Sequence, residues 1–555
     1  MSAPRTDDPT SPSSATGPSH PPLLDHTIGA DLERTVERFG DREALVVRSQ
    51  GVRWTYGELD ERVGALARAL LAEGYSVGDR VGIWAPNCSE WVLVQYATAK
   101  VGVILVNINP AYRTSELQYV LAQSGCRGLF LAPEFRGADY VAMLAEVRPE
   151  VPALERTYVF GTAGWDELLT RADEVPVDQL RRRSASLRPD DPINIQYTSG
   201  TTGFPKGATL SHRNIVNNAY FVAEGCRYTE QDRVCVPVPF YHCFGMVMGN
   251  LGCTTHGAAI VVPAAAFDPE ATLAAVAEER CTSLYGVPTM FIAMLGYPGF
   301  DRYDLSSLRT GIMAGSPCPA EVMKQCIERM HMDEVTICYG MTETSPVSTQ
   351  SATDDPIDKR VGTVGRVHPH VEIKVIDPHT GETVPRGTTG ELCTRGYSVM
   401  LGYWDDPQRT AEAVDGDGFM HTGDLGVMDG EGYVNIVGRS KDMVIRGGEN
   451  ISPREVEEFL YAHPDIEDVQ VVGVPDERYG EELAAFVRTR GGASVDAEQV
   501  RAFCSGRIAH YKIPRYVVVV DEFPMTVTGK IQKYKLRDLG IERLGLHAAA
   551  AISTA

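Results

Sequence analysis

The chain has 555 residues, 43% of them apolar, with 53 glycines and a formal net charge of −22. That length suits two to four domains around a large core. The interspersed acids and bases lack the basic stripe that a nucleic-acid surface needs, although small anionic ligands require only local positive charge.

The first 22 residues, MSAPRTDDPTSPSSATGPSHPP, are rich in Ser, Pro and Thr and carry no apolar h-region. They read as a disordered tail rather than a signal peptide. No apolar run approaches the roughly 20 residues that span a bilayer. Twelve cysteines without a Cys-x-x-Cys pair fit a reduced, cytoplasmic protein. TYGELDERVGALARALLAEG predicts a helix: Thr55 and Glu58 form a capping box, and Leu59, Val63, Leu66 and Leu70 recur at helical spacing. DRVGIWAP and GVILVN read as buried strands, and helix patterns such as PEATLAAVAEER separate the later strands SLYGV and RTGIMAG. This alternation predicts an α/β protein with largely parallel, doubly wound sheets. In such sheets ligands gather outside the carboxyl ends of the strands. The loops after INIQY, GIMAG and VTICYG sit at such ends.

From about residue 355 the texture changes. VGTVGRVHPHVEIKVIDPHTGETVPRGTTGELCTRG predicts antiparallel strands, a β-rich subdomain. Near residue 438, GRSKDMVIRGGENISPREVEEFL leads into a helix with Ser452 as N-cap, Pro453 in first position and Glu455 closing a capping box. VQVVGV, AAFVRT, a helix near 496–510 and YVVVV complete a small α+β unit. The expected organisation is a tail over 1–22, a large domain over 23–438, a small C-terminal domain over 439–547 and a frayed end over 548–555.

TSGTTGFPKG, directly after a strand, packs small donors around one lysine. Glycines let backbone N–H groups converge on an anion, hydroxyls add donors, and Lys206 adds charge. The stretch reads as a phosphate cradle. It is not a Walker A loop, because Gly207 stands where Ser or Thr would hold magnesium.

YTSGTTGFPKG resembles the signature of the adenylate-forming superfamily, which includes acyl-CoA synthetases, luciferases and peptide-synthetase adenylation domains. PFYHCFGM, MAGSPCP, YGMTET, HTGDLG, GRSKDMVIRGGENISPREVE and TVTGKIQK follow in the order of that family, spanning residues 197–533. The resemblance implies two half-reactions. A carboxylate attacks the α-phosphorus of ATP to give an acyl-adenylate and pyrophosphate. A thiol, usually that of coenzyme A, then takes the acyl group and releases AMP. The first step brings an anion toward a polyanion, so positioning and cation placement should carry it.

By this resemblance Thr198, Ser199, Gly200, Thr201, Thr202, Gly203 and Lys206 hold the β- and γ-phosphates. Thr342 and Glu343 lie at the α-phosphate and Mg²⁺, with Glu343 as metal ligand. Asp424 takes the ribose hydroxyls and Arg439 is a second ribose contact. Gly315, Ser316 and Pro317 form the adenine-side loop. Tyr339, followed by Gly340 and Met341, stacks on the purine. Lys530 reaches the reacting oxygens during adenylation. The small domain is mobile in the family, turning about the position of Lys441 to bring Gly447 and Gly448 to the pantetheine arm. His242 resembles a gate beside the carboxylate; a satisfied core histidine is the other reading.

Amino-acid-activating relatives carry an Asp in the segment matching PVPFYHCFGM. This chain has Phe240, Tyr241, His242, Cys243 and Phe244 there, which suits an apolar or aromatic acid. GNLGCTTHGAAIVV and YGVPTMFIAML line a hydrocarbon tunnel or serve as plain core. The overall pattern implies a medium- or long-chain fatty acyl-CoA ligase using ATP, Mg²⁺ and CoA. An acyl-AMP ligase for a carrier protein and an aryl-acid–CoA ligase stand as alternatives. The resemblance implies no nucleic-acid partner and no transmembrane segment, and it admits a homodimer.

Overall fold

The computed structural model describes residues 11–550 except 199–204, 317, 440–441, 447–448, 477, 506 and 527–528. Two large sheets hold most of the chain. One has seven strands, and its centre is parallel: Pro192–Thr198, Ile104–Asn107, Arg80–Trp84, Gly128–Leu131 and Arg156–Val159 lie side by side. The other has nine strands with a parallel run of Glu334–Gly340, Thr310–Ala314, Ser283–Gly286, Arg233–Cys235, Ala259–Val262 and Glu43–Val47. The strands GLFL and AIVV are buried at every position. Such uninterrupted apolar runs are what sheets covered on both faces require.

Local chemistry sets the helices between them. Thr55 accepts from the Glu58 backbone N–H at 3.2 Å, and Glu58 accepts from the Thr55 N–H at 2.9 Å. This reciprocal cap starts the helix Tyr56–Ala72, which buries Leu59, Val63, Leu66 and Leu70. All twelve cysteines are unpaired, and eleven are buried. No helix among the described residues is long and apolar enough to cross a membrane.

A third, wholly antiparallel sheet runs Ser14–Thr16, Val371–Ile376, Gly390–Gly396, Met420–Met428 and Val434–Arg439. Its first strand corrects the expectation of a disordered tail at residues 14–16; residues 1–10 of that stretch lie outside the described residues. Ser14 pairs with Lys374 and Thr16 with Glu372. Arg386 donates to the carbonyl of Ser14 at 3.2 Å. An edge strand is held by backbone hydrogen bonds, so polar Ser-Ala-Thr serves where an apolar pattern was absent.

The fourth sheet contains Glu449–Ile451, Val444–Arg446, Gly480–Thr489, Ile466–Asp476 and Tyr516–Val519. The chain changes sheets between residues 439 and 444. Ser452 caps the helix Pro453–Leu460 as expected, with Pro453 in first position, but the capping box is not formed. The Ser452 hydroxyl donates to the Val437 carbonyl, and Glu455 pairs with Lys512 at 2.5 Å. Tertiary partners have taken both side chains. The helix expected near 496–510 is the shorter Ala497–Cys504, capped by Asp496. At the other end of the chain, residues 547–550 form a short helical turn.

Candidate active site

Three neighbouring parallel strands of the nine-stranded sheet deliver one wall of a cleft. Ser283–Gly286 leads to Val287, Thr310–Ala314 leads to Gly315, and Glu334–Gly340 ends on Tyr339 and Gly340. Register puts Ala314 opposite Cys338, so Gly315 and Tyr339 emerge together. Gly315 has φ +91°, a conformation that a side chain would strain. Ser316 follows it, half-buried, and its carbonyl accepts from the Cys318 thiol at 3.4 Å.

The antiparallel sheet meets this wall. The Tyr339 hydroxyl donates to Asp424 Oδ2 at 2.7 Å, and Asp424 lies opposite Arg439 in the strand register. The turn before Asp424 is braced. Gly423 N–H donates to Glu391 at 3.0 Å, and His421 lies between Glu391 at 3.2 Å and Asp415 at 3.6 Å. Glu391, Cys393 and His421 also bring ligand-type atoms within 4.8 Å of one another. Two of the three already hold the turn.

The strands on either side of the lysine-containing stretch pair with each other. Pro192–Thr198 pairs antiparallel with Lys206–Ser211, Thr198 opposite Lys206. Beside it, Glu343 is buried at 5% exposure in the short turn Thr342–Thr344. Met341 N–H bonds the Pro346 carbonyl at 2.9 Å, which fixes the loop after Gly340. Tyr403 joins the two parts. Its hydroxyl donates to Glu343 Oε1 at 2.8 Å, and the Lys206 ammonium lies 4.3 Å from its ring centroid. Burial and the neighbouring Glu343 carboxylate raise the Tyr403 phenol, so it stays protonated and remains a donor.

The last contribution comes from the C-terminal region. Thr526 and Lys530 close a tight turn, with Thr526 N–H on the Lys530 carbonyl at 2.7 Å and Lys530 N–H on Thr526 Oγ1 at 3.1 Å. The turn is seated on the start of the helix Pro288–Leu295, which follows the strand Ser283–Gly286. Thr289 Oγ1 donates to the Gly529 carbonyl at 3.2 Å. A Cβ on Gly529, whose φ is +78°, would lie 2.9 Å from Val287. Lys530 therefore enters the cleft: a Cβ on Gly315 would lie 3.8 Å from its Cε. The charge of Lys530 also reaches His242, whose imidazole is lowered to about 3 by burial first and by Lys530 second. His242 is accordingly neutral at physiological pH.

Of the residues expected at a site, Lys530, Gly315, His242, Tyr339, Asp424, Glu343 and Lys206 are thus gathered around one cleft. Thr342, Gly340, Met341 and Ser316 stand close to these groups in the chain, and Thr198 lies opposite Lys206 in the strand register. Ser199, Gly200, Thr201, Thr202, Gly203, Pro317, Lys441, Gly447 and Gly448 lie outside the described residues, as does the side chain of Arg439. The segments GNLGCTTHGAAIVV and YGVPTMFIAML are mostly buried, and Val287 of the second reaches the cleft at Gly315. Three features were not foreseen. One is Tyr403, in a two-residue strand too short for any periodicity to mark it. Another is Glu458, which accepts from Ala320 N–H at 3.3 Å, at the start of the helix Ala320–Met330. Burial raises its carboxyl. The last is a cleft of about 710 Å³ in the C-terminal region, lined by Arg446, Arg478, Arg501, Arg515, His510 and Tyr479 among others. Its arginines are scattered over 70 residues of sequence.

The AMP-binding enzyme family matches residues 32–404, and its C-terminal domain matches residues 455–530. YngI of Bacillus subtilis (strain 168), provisionally named an acyl-CoA synthetase, is 50% identical over 95% of this chain and 99% of its own. The mitochondrial medium-chain acyl-CoA ligase ACSF2 of Danio rerio is 46% identical over 96% of this chain and 91% of its own. The anthranilate CoA ligase AuaEII, solved with anthranoyl-AMP, superposes with a TM-score of 0.84 at 26% identity, covering 94% of this chain and 98% of that one. The fold, the ordered motifs and these matches make the chain a member of the AMP-binding, adenylate-forming enzyme family, among its acyl-CoA synthetases.

Proposed function

We propose that the protein activates a medium-chain fatty acid as acyl-AMP and passes the acyl group to coenzyme A. The observation that carries this reading is the seating of Lys530 beside Gly315 and His242, on the sheet edge whose next strand delivers Tyr339 to Asp424. In this reading Asp424, held by Tyr339, takes the ribose hydroxyls and Gly315 lies along the base. Lys206 and the loop that it closes take the outer phosphates. Lys530 meets the charge developing between carboxylate and α-phosphate. A cation placed there stabilises that charge as it develops. Neutral His242 borders the acid without adding charge.

Mg²⁺ fits the same wall. Glu343 is a buried hard-oxygen donor with one oxygen engaged by a phenol, flanked by threonines in the chain. Glu343 would hold the ion, which would screen phosphate charge. The basic C-terminal cleft favours CoA over a carrier protein as acceptor. Arg478, Arg501 and His510 suit a nucleotide phosphate, while Arg446 and Arg515 pair with the lining acids Glu482 and Asp476; Arg446 immediately precedes Gly447 and Gly448. The docked C-terminal region would then have to turn, as a lid, to present this cleft. The printed name of ACSF2 favours a medium-chain acid, and that of AuaEII supports an aryl acid as the second reading.

AMP release from ATP, measured with straight-chain acids from acetate to palmitate and with anthranilate, with and without CoA, tests this. The expected result is AMP that depends on both acid and CoA, with a maximum at medium chain length. Equal turnover without CoA would overturn the choice of acceptor. A preference for anthranilate would select the second reading.

A further inference from the structure

We propose that Tyr403 is a positioning residue that holds Lys206 and Glu343 apart, so that the ammonium stays available to phosphate and the carboxylate to Mg²⁺. The inference rests on the proposed use of ATP and Mg²⁺ and goes beyond it. Lys206 and Glu343 carry opposite charges and approach the same side chain. In a buried site such charges attract strongly. A direct ion pair would satisfy both and would have to be broken before either met a ligand. Tyr403 occupies the space between. Its ring takes the ammonium at 4.3 Å from the centroid, and its hydroxyl donates to Glu343 Oε1 at 2.8 Å. Each charge is thus held by a neutral group that a ligand can outcompete.

The ring is fixed in that role. Gly402–Tyr403 pairs with Lys206–Ser211, Tyr403 opposite Ala208. Tyr403 N–H donates to Thr410 Oγ1 at 2.9 Å, and Trp404 N–H to the Gly207 carbonyl at 2.7 Å. On the other side, Met400 N–H bonds the Glu343 carbonyl at 2.9 Å. The segment 400–404 therefore ties the phosphate hairpin to the turn that carries Glu343, with Tyr403, 6% exposed, at the junction.

Tyr403→Phe keeps the spacer and loses the hydrogen bond; Tyr403→Leu loses the bond and the π-face. Binding of ATP to the full chain is measured by titration calorimetry in EDTA and across a MgCl₂ series. For Tyr403→Phe the expected result is wild-type ATP affinity in EDTA, with the Mg²⁺ concentration that half-enhances binding raised about fivefold, the scale of one hydrogen bond. For Tyr403→Leu, ATP affinity in EDTA falls as well, about tenfold, as Lys206 closes on Glu343. A Tyr403→Phe series that superposes on wild type overturns the proposal. So does an equal loss by both variants with and without Mg²⁺, which is what a merely structural tyrosine would give. Failure of the wild-type chain to bind ATP at all would remove the ligase reading first.

Discussion

The cleft has two kinds of wall. One is made of strand ends and their loops: Tyr339 on Asp424, Glu343 on Tyr403, and the Lys206 hairpin sewn to the segment 400–404. Tyr339, Asp424 and Lys206 stand in paired strands, and Glu343, in its short turn, is tied to the segment 400–404 by the Met400 N–H. The other wall is Lys530 on its turn. Side-chain contacts such as Thr289 to Gly529 and Glu458 to Ala320 dock it. Docking of this kind can be undone and remade. The contrast matches a two-step reaction. On the proposed function, the groups that would grip the nucleotide in both steps are built into sheets, and Lys530, proposed for adenylation alone, is held by side-chain docking.

If that division holds, Lys530→Ala has the largest effect. Acyl-AMP formation is expected to fall on the order of 10²–10³-fold, while thioester formation from supplied acyl-AMP is unchanged. Equal loss in both half-reactions would break the comparison. Asp424→Ala strikes the fixed wall, so both half-reactions should weaken, with KM for ATP raised roughly tenfold or more. Arg478→Ala combined with Arg501→Ala should raise KM for CoA about tenfold and leave acid-dependent exchange of pyrophosphate into ATP unaltered. Glu458→Ala removes a cap from a helix start and loosens the docked pose. About 1 kcal/mol, or roughly fivefold, is expected in adenylation alone. Tyr339→Phe should be smallest, a few-fold in ATP affinity, read by calorimetry.

Much of this was legible in the sequence because it was local. The Thr55–Glu58 cap, the helix it starts, the parallel strands and the ordered motifs are written in neighbouring residues. The resemblance then named Lys530, Asp424, Glu343 and Lys206 by position. What escaped was pairing across long separations. Tyr403 matters through partners 60 and 197 positions away, Glu343 and Lys206, and no spacing rule connects them. Glu458 reads as one more surface acid on a helix until Ala320 is beside it. Ser452 and Glu455 had the right spacing for a box, but Val437 and Lys512 took their side chains. The N-terminal strand failed for a related reason: backbone pairing leaves no mark in hydropathy.

That strand has a consequence for how the protein is made. Ser14 pairs with Lys374, so the start of the chain waits for a partner that emerges from the ribosome about 360 residues later. At ordinary elongation speed the delay is on the order of tens of seconds. Through that interval residues 14–16 have no sheet to join. A rigid insertion placed directly before residue 11 is therefore expected to delay the closing of this sheet more than its small size suggests.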